Sequence, residues 1–87
     1  LEEVVTIRFQ NAIKLRQSIG MPNLETTAYR LFNSEGDGLS GVTIDVFGEV
    51  AVVSSSAYWA EENRKLIEST LNALLSPTEI IWLSQSK

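Results

Sequence analysis

Glu35 and Asp37 stand two places apart among glycines in the stretch NSEGDGLSGVTIDVFGEV, Asn33 to Val50, and a third carboxylate, Asp45, follows across a short apolar run. Three chemistries use such residues. Paired carboxylates can divide general-acid and general-base work, as in glycoside hydrolysis. Acids alternating with glycine open a calcium loop, and glycines let backbone amides converge on an anion. The spacing completes none of the three. The later oxygen ligands and closing glutamate of a calcium loop are missing. No phosphate-loop or dinucleotide glycine pattern opens a helix here, and two carboxylates would repel phosphate. Nothing in the sequence fixes the separation or burial of the acids. Turn chemistry explains each residue more simply: Asp37-Gly38 makes a turn, Gly36 and Gly41 permit unusual φ, and Asp45 is a strand residue paired with an arginine.

Composition removes further chemistry. The 87 residues contain no cysteine and no histidine, so a disulfide framework, a thiolate metal site, a thiol nucleophile and the commonest general base are all excluded. A chain of this length holds one hydrophobic core. The net charge of −4 opposes non-specific nucleic-acid binding, which depends on Lys and Arg neutralising phosphates. Four of the seven basic residues, Arg8, Lys14, Arg16 and Arg30, nevertheless lie within the first 30 positions, which leaves room for a locally positive face. No apolar run approaches the length of a membrane span and the start is not a signal peptide. The expectation is a soluble, intracellular chain, read from its start at Leu1 as a fragment of a longer protein.

The elements that must position these residues follow from periodicity. Leu1, Val5, Phe9, Ala12 and Ile19 fall near helical spacing, with Gly20 and Pro22 as the stop. The β-branched run Val4 to Ile7 argues for an extended start instead. Asn23 to Thr27 reads as a polar connector. AYRLFN alternates Tyr29 and Leu31 against Arg30 and Phe32, as in a strand with both faces partly covered. VTIDVF and VAVVSSS form a hairpin whose Gly48-Glu49 loop suits a type II′ turn. Ala57 to Leu75 reads as one helix with an apolar stripe of Ile67, Leu71, Leu74 and Leu75, ended by Pro77, and EIIWLSQS resumes strand character. The fold class expected is α+β, a mostly antiparallel sheet with covering helices in the order α-β-β-β-α-β, as one unit over 1–87: a leading helix and linker (1–22), then a β-β-β-α-β unit (23–87).

Arg8 and Arg16, two helical turns apart, fall on the side of Val5 and Ala12, where an unpaired guanidinium is costly. Ion pairs to Glu35, Asp37 or Asp45 are the structural expectation, and RNA phosphate contacts the functional alternative. Tyr58, Trp59 and Trp82 are separated and sit in apolar periodicity, which favours packing over base stacking.

The segment TTAYRLFNSEGDGLSGVTIDVFGEVAVV resembles the region preceding the cofactor domain in class I SAM-dependent methyltransferases acting on cytosine C5 of large-subunit ribosomal RNA. The match is carried by Tyr29, Arg30, Leu31, Asn33, Glu35, Asp37, Gly38, Leu39, Gly41, Asp45, Gly48, Val52 and Val53, with Arg8, Ala12 and Arg16 in the preceding helix. Ser40, Val46 and Phe47 depart from the family's usual Pro, basic residue and Tyr. The resemblance implies a non-catalytic middle domain, flanked by an RNA-binding PUA domain and a catalytic domain that holds S-adenosylmethionine and a cysteine. Its work would be RNA substrate binding and domain orientation, with Arg8, Arg16, Arg30, Asn33, Glu35, Asp37 and Asp45 as candidate contacts to RNA or to a neighbouring domain. No cofactor, catalytic residue or metal site is expected within the 87 residues themselves. The alternative is a stand-alone protein-interaction domain that keeps the fold without methyltransferase chemistry.

Overall fold

A computed structural model describes residues 1–21 and 27–84, so most of the expected polar connector lies outside the described residues. Helix α1 spans Glu2–Ser18 and includes the β-branched run. Burial decides against an extended start: Val5, Phe9 and Ala12 share one helical face and are at most 2% exposed, so tertiary packing outweighs a weak local propensity. The helix ends on a Schellman motif. Gly20 takes φ +83°, its N–H reaches the Gln17 carbonyl and the Met21 N–H reaches that of Arg16.

Strand β1 (Ala28–Asn33) leads into a single 3-10 turn, Ser34–Asp37, followed by β2 (Val42–Phe47) and β3 (Val50–Ser55). Gly48 has φ +62° and Glu49 is not among the positive-φ residues, the φ pattern of a type II′ turn. β1, β2 and β3 are antiparallel neighbours. The expected alternation of β1 is broken by a bulge: Arg30 pairs with Asp45 and Phe32 with Ile44, which leaves Leu31 as the extra residue. Leu31 and Phe32 are consequently both buried, and Arg30 stays on the solvent side.

The single helix expected over Ala57 to Leu75 is two, α2 (Tyr58–Glu62) and α3 (Arg64–Leu75). Asn63 breaks it. Its backbone leaves helical geometry at φ −115°, ψ 26°, and its side-chain amide donates to the Trp59 carbonyl at 2.7 Å. An Asn side chain competing for backbone partners opposes continuation of a helix. Ser76, at φ 49°, then ends α3 just before Pro77.

Strand β4 (Glu79–Ser84) returns beside β3 in parallel, through the α2–α3 crossover, and completes a sheet of order β1-β2-β3-β4. The fold is thus α+β with a mixed sheet. Val42, Ile44, Val46, Ala51 and Val53 form the buried face against α1, α2 and α3. Phe9 of α1 meets Phe32 of β1 edge to face, with ring centroids 5.0 Å apart, a contact worth about 0.5–1.5 kcal/mol beyond its buried area. No helix among the described residues is long and apolar enough to cross a membrane.

Candidate functional site

The GDG segment is shaped by its backbone before any chemistry enters. The 3-10 turn closes as α1 does: Gly38 takes φ +99°, its N–H reaches the Glu35 carbonyl and the Leu39 N–H reaches that of Ser34. The Ser34 hydroxyl then accepts the Gly41 N–H at 2.9 Å. Gly41 itself, at φ +81°, packs so closely on Ala57 that an added Cβ would overlap the alanine side chain. The indole N–H of Trp59 donates to the Ser40 carbonyl at 2.8 Å, which ties the far end of the loop to α2.

Asp37 is drawn inward by this turn. Its carboxylate accepts both terminal nitrogens of Arg16, at 3.3 and 2.9 Å, and the Asn33 backbone N–H at 2.6 Å. Arg16 uses its remaining Nε–H on the Arg30 carbonyl at 3.1 Å. One guanidinium therefore joins α1, β1 and the turn, with the Arg16 and Asp37 side chains 15% and 9% exposed. Nearby, burial pushes the Tyr29 phenol upward in pKa, an effect the positive charge of Arg16 partly opposes.

Arg30 and Asp45 form a second bidentate pair, at 2.8 and 3.1 Å, directly across the β1–β2 ladder. It lies on the outer face of the sheet, with side chains 52% and 24% exposed. Hydrogen bonds and charge from Asp45 raise the Arg30 pKa above its ordinary value. Five of the seven candidate residues thus divide between two places rather than one cleft. Arg16, Asn33 and Asp37 meet at the α1–turn junction, and Arg30 and Asp45 meet on the open sheet.

Arg8 and Glu35 remain. Arg8 lies at the margin of the buried arc of α1 and is exposed, not on its apolar side. Its side chain runs over Gly38, where a Cβ would come within 2.9 Å of it. Among the described residues neither Arg8 nor Glu35 takes part in an ion pair. Glu35, Asp37 and Asp45 do not converge on a common centre, and no group of His, Cys, Asp or Glu among the described residues is arranged to hold a metal.

One polar cluster escapes the sequence reading. Glu61 of α2 accepts the Ser84 hydroxyl at 2.8 Å and the Trp82 indole N–H at 3.1 Å. Arg64 sits 5.1 Å from the Trp82 ring centroid, a cation–π contact. Hydrogen bonding, from Ser55 first and then from Ser84, holds the Glu61 carboxyl below its ordinary pKa, with Trp82 and Arg64 adding to it. The only signal for this cluster is long-range: the parallel pairing of Ser55 with Ser84 brings the two hydroxyls side by side.

No family model matches the chain. Over 73 residues it is 37% identical to ribosomal RNA large subunit methyltransferase I of Alteromonas mediterranea, which covers 84% of this chain and 18% of that protein. A solved structure provisionally assigned as a SAM-dependent methyltransferase from Streptococcus mutans superposes with a TM-score of 0.77 at 30% identity, over 91% of this chain and 22% of that one. A second, provisionally assigned as a methyltransferase complexed with SAH, gives 0.77 at 29% identity over 92% and 22%. The chain spans less than a quarter of the length of each. Its homologues are thus ribosomal RNA large-subunit methyltransferases and SAM-dependent methyltransferase structures, each of which it matches over one segment.

Proposed function

We propose that this chain is a non-catalytic middle domain of a SAM-dependent, large-subunit ribosomal RNA cytosine-C5 methyltransferase, and that it orients neighbouring domains and lines part of the RNA-binding cleft. The observation that supports this best is the use made of the motif charges. Arg16 and Asp37 hold the α1–turn junction, and Arg30 and Asp45 clamp a strand pair. Residues matching the family motif therefore shape the fold, and of the matching arginines Arg8, exposed over Gly38 and outside any ion pair among the described residues, is the one left to meet a phosphate. With neither cysteine nor histidine in the chain, the cysteine, the bound S-adenosylmethionine and the PUA domain belong, on this reading, to other parts of the protein.

The test is to sequence the native transcript across both ends of this segment and assay the encoded protein with S-adenosylmethionine and large-subunit ribosomal RNA. The expected result is a Gly-rich cofactor turn and a later cysteine in the same frame, with methyl transfer that weakens in Arg8→Ala. A reading frame without a cofactor domain would leave the interaction-module alternative and defeat this one.

A further inference from the structure

The two halves of the sheet are built to different rules. In the β1–β2 half, the outward positions are mostly polar, Arg30, Asn33, Thr43 and Asp45, with Ala28 and Phe47 paired at one end, close to the pattern of a sheet wetted on one side. In the β3–β4 half both faces carry an apolar stripe, with Ser54 and Glu79 the polar positions of the outer one. Ala51, Val53, Ile80 and Trp82 point toward the helices. The register sets Val50 and Val52 beside Glu79 and Ile81 on the opposite face, where Leu83 follows. Near-continuous apolar runs, VAVV and IIWL, are the pattern of parallel strands covered on both faces, and β3 and β4 are the parallel pair. Yet α1, α2 and α3 all lie on one side. Phe47, Ile81 and Leu83 are left 54%, 38% and 48% exposed on the other.

We infer that this outer face of β3 and β4 is the docking surface for a helix of a neighbouring domain of the same polypeptide, one with an aliphatic stripe and a Lys or Arg at one end. The inference rests on the reading proposed above, because the domain that supplies the helix belongs to the longer protein. Charge selects the partner. Glu79 lies on this face at the Val50 end of the stripe, and Glu49 stands in the adjoining turn. Both are exposed, and neither has an ion-pair partner among the described residues. Two carboxylates at one end of an apolar stripe complement a basic helix terminus and repel a phosphate backbone. The stripe is aliphatic with a single Phe, a poor platform for stacked bases, whereas an aliphatic helix gains from burying it. The relatives are long enough to supply such a layer, since the chain covers 18% and 22% of two of them.

The chain has no cysteine, so a single introduced thiol reports local cover. Leu83→Cys and, as a control on β1 at the far edge of the same face, Ala28→Cys are placed in the 87-residue chain and in the native full-length protein. Maleimide labelling is read peptide by peptide. The expected result is equal labelling of both sites in the short chain, and labelling of Leu83→Cys slowed at least tenfold in the full-length protein while Ala28→Cys is unchanged. Glu79→Lys then restores much of the lost rate. Equal labelling of Leu83→Cys in both proteins overturns the inference even where the protein methylates RNA, which keeps its failure separate from that of the functional reading. Protection that grows with concentration in the short chain alone would assign the face to a second copy and overturn it as well.

Discussion

Arg16–Asp37 and Arg30–Asp45 are chemically the same bond, a guanidinium gripping a carboxylate with two hydrogen bonds, yet they do different work. The first is mostly buried, at 15% and 9% exposure, and each partner also bonds the backbone of a strand or its end. Removing either partner leaves a buried charge and an unpaired backbone group. The second is exposed at 52% and 24% and couples two strands that a ladder already joins. Water can replace either member. Context, more than bond geometry, separates a structural clamp from a surface pair.

The largest expected effect breaks the clamp. Asp37→Ala strands the Arg16 guanidinium and the Asn33 N–H, for a loss of about 2–3 kcal/mol given its partial exposure. In a domain of this size that is a fall in Tm of roughly 10–20 °C, measured by thermal unfolding. A fall no greater than that of Asp45→Ala would erase the distinction between the pairs.

Gly38→Ala attacks the same junction through the backbone. Its φ of +99° disfavours any side chain, and the new methyl must displace Arg8. A cost of about 1–2 kcal/mol follows from the left-handed conformation, and the Arg8 stem adds little because a flexible exposed chain can move. Chemical denaturation should show a lower midpoint with an unchanged slope.

Much of this junction is written in local sequence. Gly20 and Gly38 mark two chain reversals by the same glycine rule, and Gly48 marks the hairpin. Arg16 and Asp37 are visible as charges needing partners, because one stands on a buried helical face. Their pairing with each other, in preference to Glu35 or Asp45, is not local: it depends on how α1 crosses β1. The β1 bulge is likewise hidden, since AYRLFN alternates well enough to pass for a regular strand and only the tertiary demand to bury both Leu31 and Phe32 breaks it. The break at Asn63 is not visible in the sequence, because apolar periodicity runs through it. The Glu61 cluster left no trace, since Trp82 and Ser84 lie more than twenty residues from Glu61 in the chain and reach it only through a parallel pairing.

Arg30→Met sharpens the other side of the comparison. An exposed pair contributes about 0.2–1 kcal/mol, and the Met stem keeps contact with the sheet, so Tm should move by only a few degrees. Because the Debye length shortens to about 3 Å at 1 M salt, high salt should shrink the difference between wild type and Arg30→Met, while that between wild type and Asp37→Ala persists. Salt thus separates the two pairs even where their stabilities overlap.

The smallest effect concerns a carboxylate outside both pairs. Hydrogen bonds hold the folded Glu61 below its ordinary value of 4.5, so the folded state favours the charged form. The stability this gives is fully present above that value and is lost as pH falls through the lower, folded one. Glu61→Gln cannot titrate and keeps one acceptor oxygen where the carboxylate offers two, so it should lie slightly below wild type at neutral pH and converge with it as pH falls below about 4.5. Full exposure of the carboxylate keeps the difference small. If acid sensitivity is unchanged in Glu61→Gln, the hydroxyl and indole donors do no more for this carboxylate than water does, and the cluster ranks with the exposed pair on the outer sheet.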